Sequence, residues 1–393
     1  MPTFYGMPKV HKTPLKLRPV ISCINSYSSI FSTWLDFKMK ELLQLFPSYI
    51  KNSTDLIKDL KAINLPKNAK LFTADASSMY TNIDTASGLQ AFNNIFSTYE
   101  NRISPTFPRE FFLTVLELVM NNNLFTFGDS YWIQLQGTAM GTPAAPLYSI
   151  ITYGFHENTR ILNQYSSNLL YYKRYIDDIF GIWVDTPVNT WDNFKSDLDS
   201  FGLLRWNVEN LTHSTTFLDL QIEISQGTIV TRTFQKELNL YLYIPPLSAH
   251  PHSCFKGFIT GEIIRYWTQN SKTEDFISIT TQFLNRLQLR GHCINELIPI
   301  LQCAAASLDN KETASIRHKA KLQTKDTAFL HWVYHPKDIT KNTLRNIYNN
   351  SLRGHDNFKD MRIAMSRPKN LKDILCKSSL PDVPGMNPSD FLT

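Results

Sequence analysis

The sequence lacks paired cysteines. Its five, Cys23, Cys254, Cys293, Cys303 and Cys376, are scattered without a CxxC spacing. That excludes a disulfide-stapled scaffold and a zinc finger, and predicts reduced thiols in a nuclear or cytoplasmic protein rather than a secreted one. No apolar run reaches the length of a membrane span, so no membrane partner is expected. Residues 1–20 carry Lys9, Lys12, Lys16 and Arg18 but no apolar core of a signal peptide. Repeats and low-complexity segments are also missing. The chain opens abruptly on a motif, which predicts a fragment whose true start lies upstream.

What is present is an ordinary globular composition. The chain has 393 residues, 42% of them hydrophobic and 12% aromatic, enough for two or three domains. The net charge of +6 is unevenly placed. Residues 311–393 hold 15 basic and 8 acidic side chains, against 25 and 26 in the first 310. A basic surface attracts polyanions, and an acidic centre suits cations. Taken alone, such charge runs also describe a solvated face.

Elements follow from periodicity and breakers. Residues 1–22 are punctuated by Pro2, Pro8, Pro14 and Pro19 and read as extended strands and turns. Helical spacing covers 32–46 and stops at Pro47, then 54–61 and 109–121. A hairpin is predicted over 124–135 around Gly128-Asp129-Ser130, and a helix from Pro143 to about Leu162. Leu169 to Val184 reads as two short strands, 189–202 as a helix, and 205–210, 216–225 and 228–234 as strands. From Ser271 onward the chain reads as helical. Ser271 and Glu274 form a capping box, Gly291 is a stop, and further helices follow at 294–307, 338–353 and 369–376. The order, mixed first and then mostly helical, predicts an α+β domain with a helical domain appended.

The most informative stretch is Tyr175-Ile176-Asp177-Asp178, two adjacent carboxylates inside an apolar run. Burying a carboxylate is costly and the pair repels, so a divalent cation is the natural compensation. The plain alternative is a solvated turn that uses Asp as a turn former. Asp75 ends the strand Lys70–Ala74, with Tyr80 five residues on; as an isolated residue it is also an ordinary strand-ending cap. The expected geometry sets Asp75 beside the Asp177-Asp178 turn. Three carboxylates there suit two Mg²⁺ ions, with Mn²⁺ as a substitute, for in-line phosphoryl transfer. Between them lies Gln134-Leu135-Gln136-Gly137-Thr138-Ala139-Met140-Gly141-Thr142-Pro143. Its glycines permit close backbone approach of a flat ligand, or simply make a strand-to-helix turn.

These motifs, in this order, resemble the reverse transcriptases. More narrowly, the chain resembles those of Penelope-like retroelements, relatives of telomerase. The resemblance runs nearly end to end. It is carried by Tyr5-Gly6-Met7-Pro8-Lys9-Val10-His11-Lys12, Leu17-Arg18-Pro19-Val20-Ile21-Ser22, Met79-Tyr80-Thr81-Asn82-Ile83, Gly137–Pro143 and Arg174–Phe180. Phe217-Leu218-Asp219, Ser248-Ala249-His250-Pro251, Arg290-Gly291, Trp332–Pro336 and Arg367–Leu371 extend it.

The resemblance implies a right-hand polymerase fold. Fingers would span 1–68, a palm with an antiparallel sheet 69–245, and helical thumb elements 246–310. A fingers-like insertion would lie at about 85–130, and a basic helical C-terminal extension at 311–393. It implies an RNA-directed DNA polymerase, a nucleotidyltransferase of a retrotransposon, acting on an RNA template, a DNA primer or RNA/DNA hybrid, and dNTPs. Asp75, Asp177 and Asp178 match the catalytic metal ligands. Tyr80 matches the ring that excludes a 2′-hydroxyl. Arg18, with Lys9 or Lys12, matches the triphosphate contacts. Gln134 and Gly141 match the nucleotide contact region, and Gly137, Tyr175, His250, Arg286 and Arg290 the nucleic-acid path.

There are departures. Met140 stands where many reverse transcriptases have Gln. Residues 201–224 contain no Lys, so no general acid for pyrophosphate is assigned. No GIY-YIG nuclease motif is found. His250-Pro251-His252 and His331/His335 do not read as metal pairs, and Trp332 reads as core. A catalytically inactive binding protein on a polymerase scaffold, and a domesticated terminal transferase, are the alternatives. The intact Asp75, Tyr80, Asp177 and Asp178 argue against the first.

Overall fold

Alternating side chains explain the central sheet. Phe72, Ala74 and Ala76 point to one side of a strand and Ala69 and Leu71 to the other, and both sides are buried. The computed structural model describes residues 1–9, 14, 16–23, 26, 28–186, 190–236, 238–248, 250, 252–313, 328–333, 335, 338–355, 358 and 361–366. These fall into two compact units, one within Met1–Leu238 and one within Asn239–Asp382.

The first unit opens with β1 (Thr3–Lys9) and β2 (Lys16–Ser22), then helices α1 (Ser29–Leu42) and α2 (Ser53–Lys61). Strand β3 (Ala69–Ala76) leads into the short helix α3 (Met79–Asn82), then α4 (Thr85–Thr98) and α5 (Arg109–Asn121). A hairpin of β4 (Leu124–Phe127) and β5 (Ser130–Ile133) precedes α6 (Ala145–His156). That helix runs through a π turn at Glu157–Ile161 into α7 (Leu162–Gln164). Then come β6 (Leu169–Tyr175), β7 (Asp178–Val184), α8 (Trp191–Leu198), β8 (Trp206–Val208), β9 (Ser214–Phe217), β10 (Leu220–Ser225) and β11 (Thr228–Thr233).

The central sheet has the order β6-β7-β3-β8, antiparallel throughout. One face packs on α4, α5, α6 and α8 through Phe72, Phe92, Phe112, Ile151 and Phe194. The other packs Leu71, Phe180 and Ile182 against Leu56, Ile57 and Leu60 of α2 and Phe217, Leu220 and Ile222 of β9 and β10. Strands β9 to β11 form their own antiparallel sheet. The segment 216–225, expected as one strand, is broken at Leu218 (φ +55°), which turns β9 back into β10. A further sheet, β2-β1-β4-β5, joins the N-terminal hairpin to the distant 124–133 hairpin where β1 meets β4 in parallel at Thr3 and Thr126.

The second unit contains α9 (His252–Gln269), α10 (Thr273–Leu289) and α11 (Ile294–Thr313) around Ile259, Ile263, Tyr266, Phe283, Leu287 and Leu297. Two corrections arise here. The expected capping box is not made: α10 begins at Thr273 behind Lys272, with no side-chain cap. The C-terminal segment is not purely helical, because β12 (Ala328–Val333) and β13 (Met361–Ser366) pair in parallel around α12 (Lys341–Ser351). The helix expected at 369–376 lies outside the described residues. No helix among the described residues is long and apolar enough to cross a membrane.

Candidate active site

The register of the central sheet places the carboxylates. Asp75, near the end of β3, lies opposite Asp178, the first residue of β7, and on its other side opposite Asn207 of β8. Tyr175 and Asp178 are themselves paired, so Ile176 and Asp177 form a tight turn. The Ala76 amide donates to Asp177 O at 2.8 Å, which carries the ladder into that turn.

Asp75 and Asp178 are bridged by a side-chain hydrogen bond. Burial, then the charges of Asp177 and Asp75, push the Asp178 carboxyl up to about 6, while Lys236 opposes the shift. Burial and like charge both disfavour the ionised form at Asp178. Among the described residues no three His, Cys, Asp or Glu side chains are gathered into a ready metal cluster, so the expected three-carboxylate set is not assembled as such. The donor chemistry, oxygen only and with crowded negative charge, fits a hard divalent cation.

Tyr80 stands on α3, entered through Ser78 at φ +51°. Burial, then the negative charge of Asp177 and the neighbouring Tyr175, push its phenol up to about 12, and Arg18 works in the opposite direction. Arg18, Tyr80, Tyr175 and Asp177 therefore share one electrostatic neighbourhood. Lys9 pairs with Lys16 across the β1–β2 hairpin that carries Arg18. Lys12 lies outside the described residues.

The two glycines of the central turn are approached by the chain's own backbone. A Cβ at Gly137 (φ +73°) would strike the Tyr80 carbonyl and Thr81 backbone, while Thr138 N donates to Tyr80 O at 2.7 Å. A Cβ at Gly141 (φ +113°) would strike Ile21 O, and Ile21 N donates to Met140 O at 2.7 Å. The turn thus locks the Tyr80 helix to β2. Gly137→Ala is expected to cost about 1–3 kcal/mol from positive φ alone, read as a lowered melting temperature. The Gln134 amide donates to Gln136 O at 2.8 Å, within the same turn.

The remaining candidates belong to the second unit. The Arg286 guanidinium lies 3.7 Å from the Tyr241 ring centre. Arg290 Nε donates to Tyr243 O at 3.0 Å, and His250 Nδ1 shares a hydrogen bond with Ser248 Oγ. Both arginines thus also organise the Tyr241–Tyr243 segment.

Lys236 lies beyond residues 201–224, the stretch after the Asp-Asp hairpin that holds no lysine, and its charge acts on Asp178. The two intervening strands, β10 and β11, carry the chain back to Asp178. Sequence reasoning missed Lys236, and also Arg174 and Glu157, a fully buried ion pair directly behind the turn.

No family model matches the chain, and no curated protein matches it. Among solved structures it is similar to telomerase from Candida albicans in complex with a TWJ fragment of telomeric RNA. The identity is 12% and the TM-score 0.55, over 78% of this chain and 59% of that one. Weaker matches are apo telomerase from Candida tropicalis (11% identity, TM-score 0.48, 79% and 58% covered) and a BmCPV RNA-dependent RNA polymerase at elongation state (11%, 0.49, 67% and 24%). The chain spans 59% of the length of the Candida albicans telomerase. That likeness shows a shared telomerase-like polymerase fold.

Proposed function

We propose that the chain is an RNA-directed DNA polymerase of the Penelope-like kind, extending a primer 3′-hydroxyl with dNTPs in retroelement replication. The observation that supports this best is the strand register: Asp75 faces Asp178, with Asp177 in the adjoining turn and Tyr80 and Arg18 in its field. In this reading β3, β6, β7 and β8 form the palm, and the β1–β2 hairpin belongs to the fingers.

Asp75, Asp177 and Asp178 would hold two Mg²⁺ ions, which supply a Lewis acid for the attacking hydroxyl and for the triphosphate. The protein's own share is positioning and charge. Arg18, with Lys9 beside it, grips phosphate oxygens. The Tyr80 ring, on a helix whose backbone is tied to the Gly137–Thr138 turn, would occupy the space of a ribose 2′-hydroxyl. Its phenol stays protonated through the working pH range, since burial and Asp177 raise it. Lys236, whose charge acts on Asp178, is a candidate to donate a proton to departing pyrophosphate. The duplex would be read by shape, phosphates and 2′-hydroxyls.

The test is dTTP incorporation on poly(rA)/oligo(dT) with Mg²⁺ or Mn²⁺. Incorporation that Asp177→Ala abolishes supports the proposal; none above that variant refutes it. A separate expectation concerns the sugar. Tyr80→Ala is expected to raise rNTP use relative to dNTP by about 10- to 100-fold in competing single-nucleotide extension. Unchanged selectivity would remove Tyr80 from that role.

A further inference from the structure

Arg174 is the residue immediately before the Tyr175–Asp178 turn, and its side chain is 1% exposed. Its partner Glu157 is 0% exposed and begins the π turn that ends α6. Arg174 Nε donates to Glu157 Oε1 at 2.7 Å and Nη2 to Oε2 at 2.9 Å. Nη2 also donates to Ile150 O at 2.8 Å within α6. Ser48 Oγ and Tyr172 Oη donate to the same carboxylate at 2.6 and 2.8 Å. The Arg174 main chain is fixed as well, with N donating to Ser48 O and O accepting from Ile50 N.

Such a pair adds little stability over well-packed apolar side chains, so stability alone is a weak reason for it. The remaining nitrogen supplies a better one. Nη1 donates to Ile176 O at 2.7 Å. Ile176 sits at φ +52°, a left-handed conformation that a β-branched residue adopts only under constraint. The next carbonyl, Asp177 O, is held from the opposite side by Ala76 N. The turn that presents the two carboxylates is therefore clamped at consecutive peptides, by a buried guanidinium and by β3.

We propose that Arg174, oriented by Glu157, is a positioning residue that presets the Ile176–Asp178 turn for divalent-cation binding. The inference rests on reading Asp75, Asp177 and Asp178 as a cation site. It links α6, which follows the central glycine turn, to the carboxylates through one rigid side chain. A lysine keeps the charge but loses the planar fork that serves Glu157 and Ile176 together. Partners that orient ligands in this way typically change metal affinity by about 10- to 100-fold.

The test is Mn²⁺ binding to the full chain without nucleic acid, followed by the EPR signal of free Mn²⁺, with melting curves alongside. Arg174→Lys is expected to weaken Mn²⁺ binding about tenfold or more. Tyr172→Phe removes a hydrogen bond to the same Glu157 carboxylate but none to the turn. It is expected to lower the melting temperature and leave Mn²⁺ affinity unchanged. Glu157→Gln, which loosens the guanidinium while keeping the shape of the pair, is measured in parallel and is expected to weaken binding in the same direction. Wild-type affinity in Arg174→Lys, or an equal loss in Tyr172→Phe, overturns the positioning role. Mn²⁺ binding that Asp177→Asn leaves unchanged overturns the cation reading itself, and this inference with it.

Discussion

Glu157→Ala is expected to destabilise the first unit by about 3–5 kcal/mol, because it strands the Arg174 guanidinium in the core. For a unit of this size that is a fall in melting temperature of about 6–20 °C. The cause is the asymmetry between making and breaking a buried pair. With both partners present, the guanidinium spends its donors on Glu157, Ile150 O and Ile176 O. Without the carboxylate the charge remains and its compensation is gone. Glu157→Ala combined with Arg174→Met removes both charges and is expected to recover much of the loss. Thermal or urea denaturation of the three proteins measures it. A double variant no more stable than Glu157→Ala would show that packing, and not charge, dominates at this position.

Asp178→Asn should move activity and stability in opposite directions. On the proposed reading of Asp178 as a cation ligand, its loss is expected to lower the rate of incorporation by about 10²–10³-fold. The same change relieves repulsion that the fold imposes. Burial, then the charges of Asp177 and Asp75, push the Asp178 carboxyl up to about 6 from its ordinary 3.8. Below about pH 4 the group is protonated in both states and contributes nothing. Between about 4 and 6 the unfolded chain loses its proton first, so stability falls as pH rises; above 6 the penalty is constant. With the carboxyl partly open to screening solvent, the penalty at neutral pH is about 1 kcal/mol. Asp178→Asn is expected to be that much more stable at pH 7 and equal to the parent near pH 4. Mg²⁺ should raise the melting temperature of the parent at pH 7 and have a smaller effect on Asp178→Asn. A variant less stable than its parent at pH 7 would contradict this account of the carboxyl pair.

How far the sequence anticipates the site depends on how local each signal is. Asp75, Tyr80 and the Tyr175–Asp178 turn are legible because strand alternation and turn chemistry are properties of a few neighbouring residues. The register that sets Asp75 opposite Asp178 agrees with the expectation. Three features depend on distant partners and were not legible. The parallel contact of β1 with β4 joins Thr3 to Thr126, and no local pattern encodes it. Arg174 sits beside Lys173 in a strand, and sequence alone does not tell the buried cation from its more exposed neighbour. Gly137 and Gly141 signal close approach, and the chain's own groups that approach them, Tyr80–Thr81 and Ile21, lie far away in sequence. Helix α9 falls within the 246–310 stretch expected to be helical, but no local signal marks its ends, and the strands β12 and β13 are not anticipated. The α9 sequence is interrupted by Gly257 and Gly261, and each strand is only six residues long.

The most direct test of the central claim is extension of a primer on an RNA template of defined mixed sequence, with the products sequenced. The account predicts DNA complementary to the template, made only with a divalent cation and lost in Asp75→Asn, Asp177→Asn and Asp178→Asn. Addition without regard to template sequence, or synthesis that persists in Asp177→Asn, would contradict it.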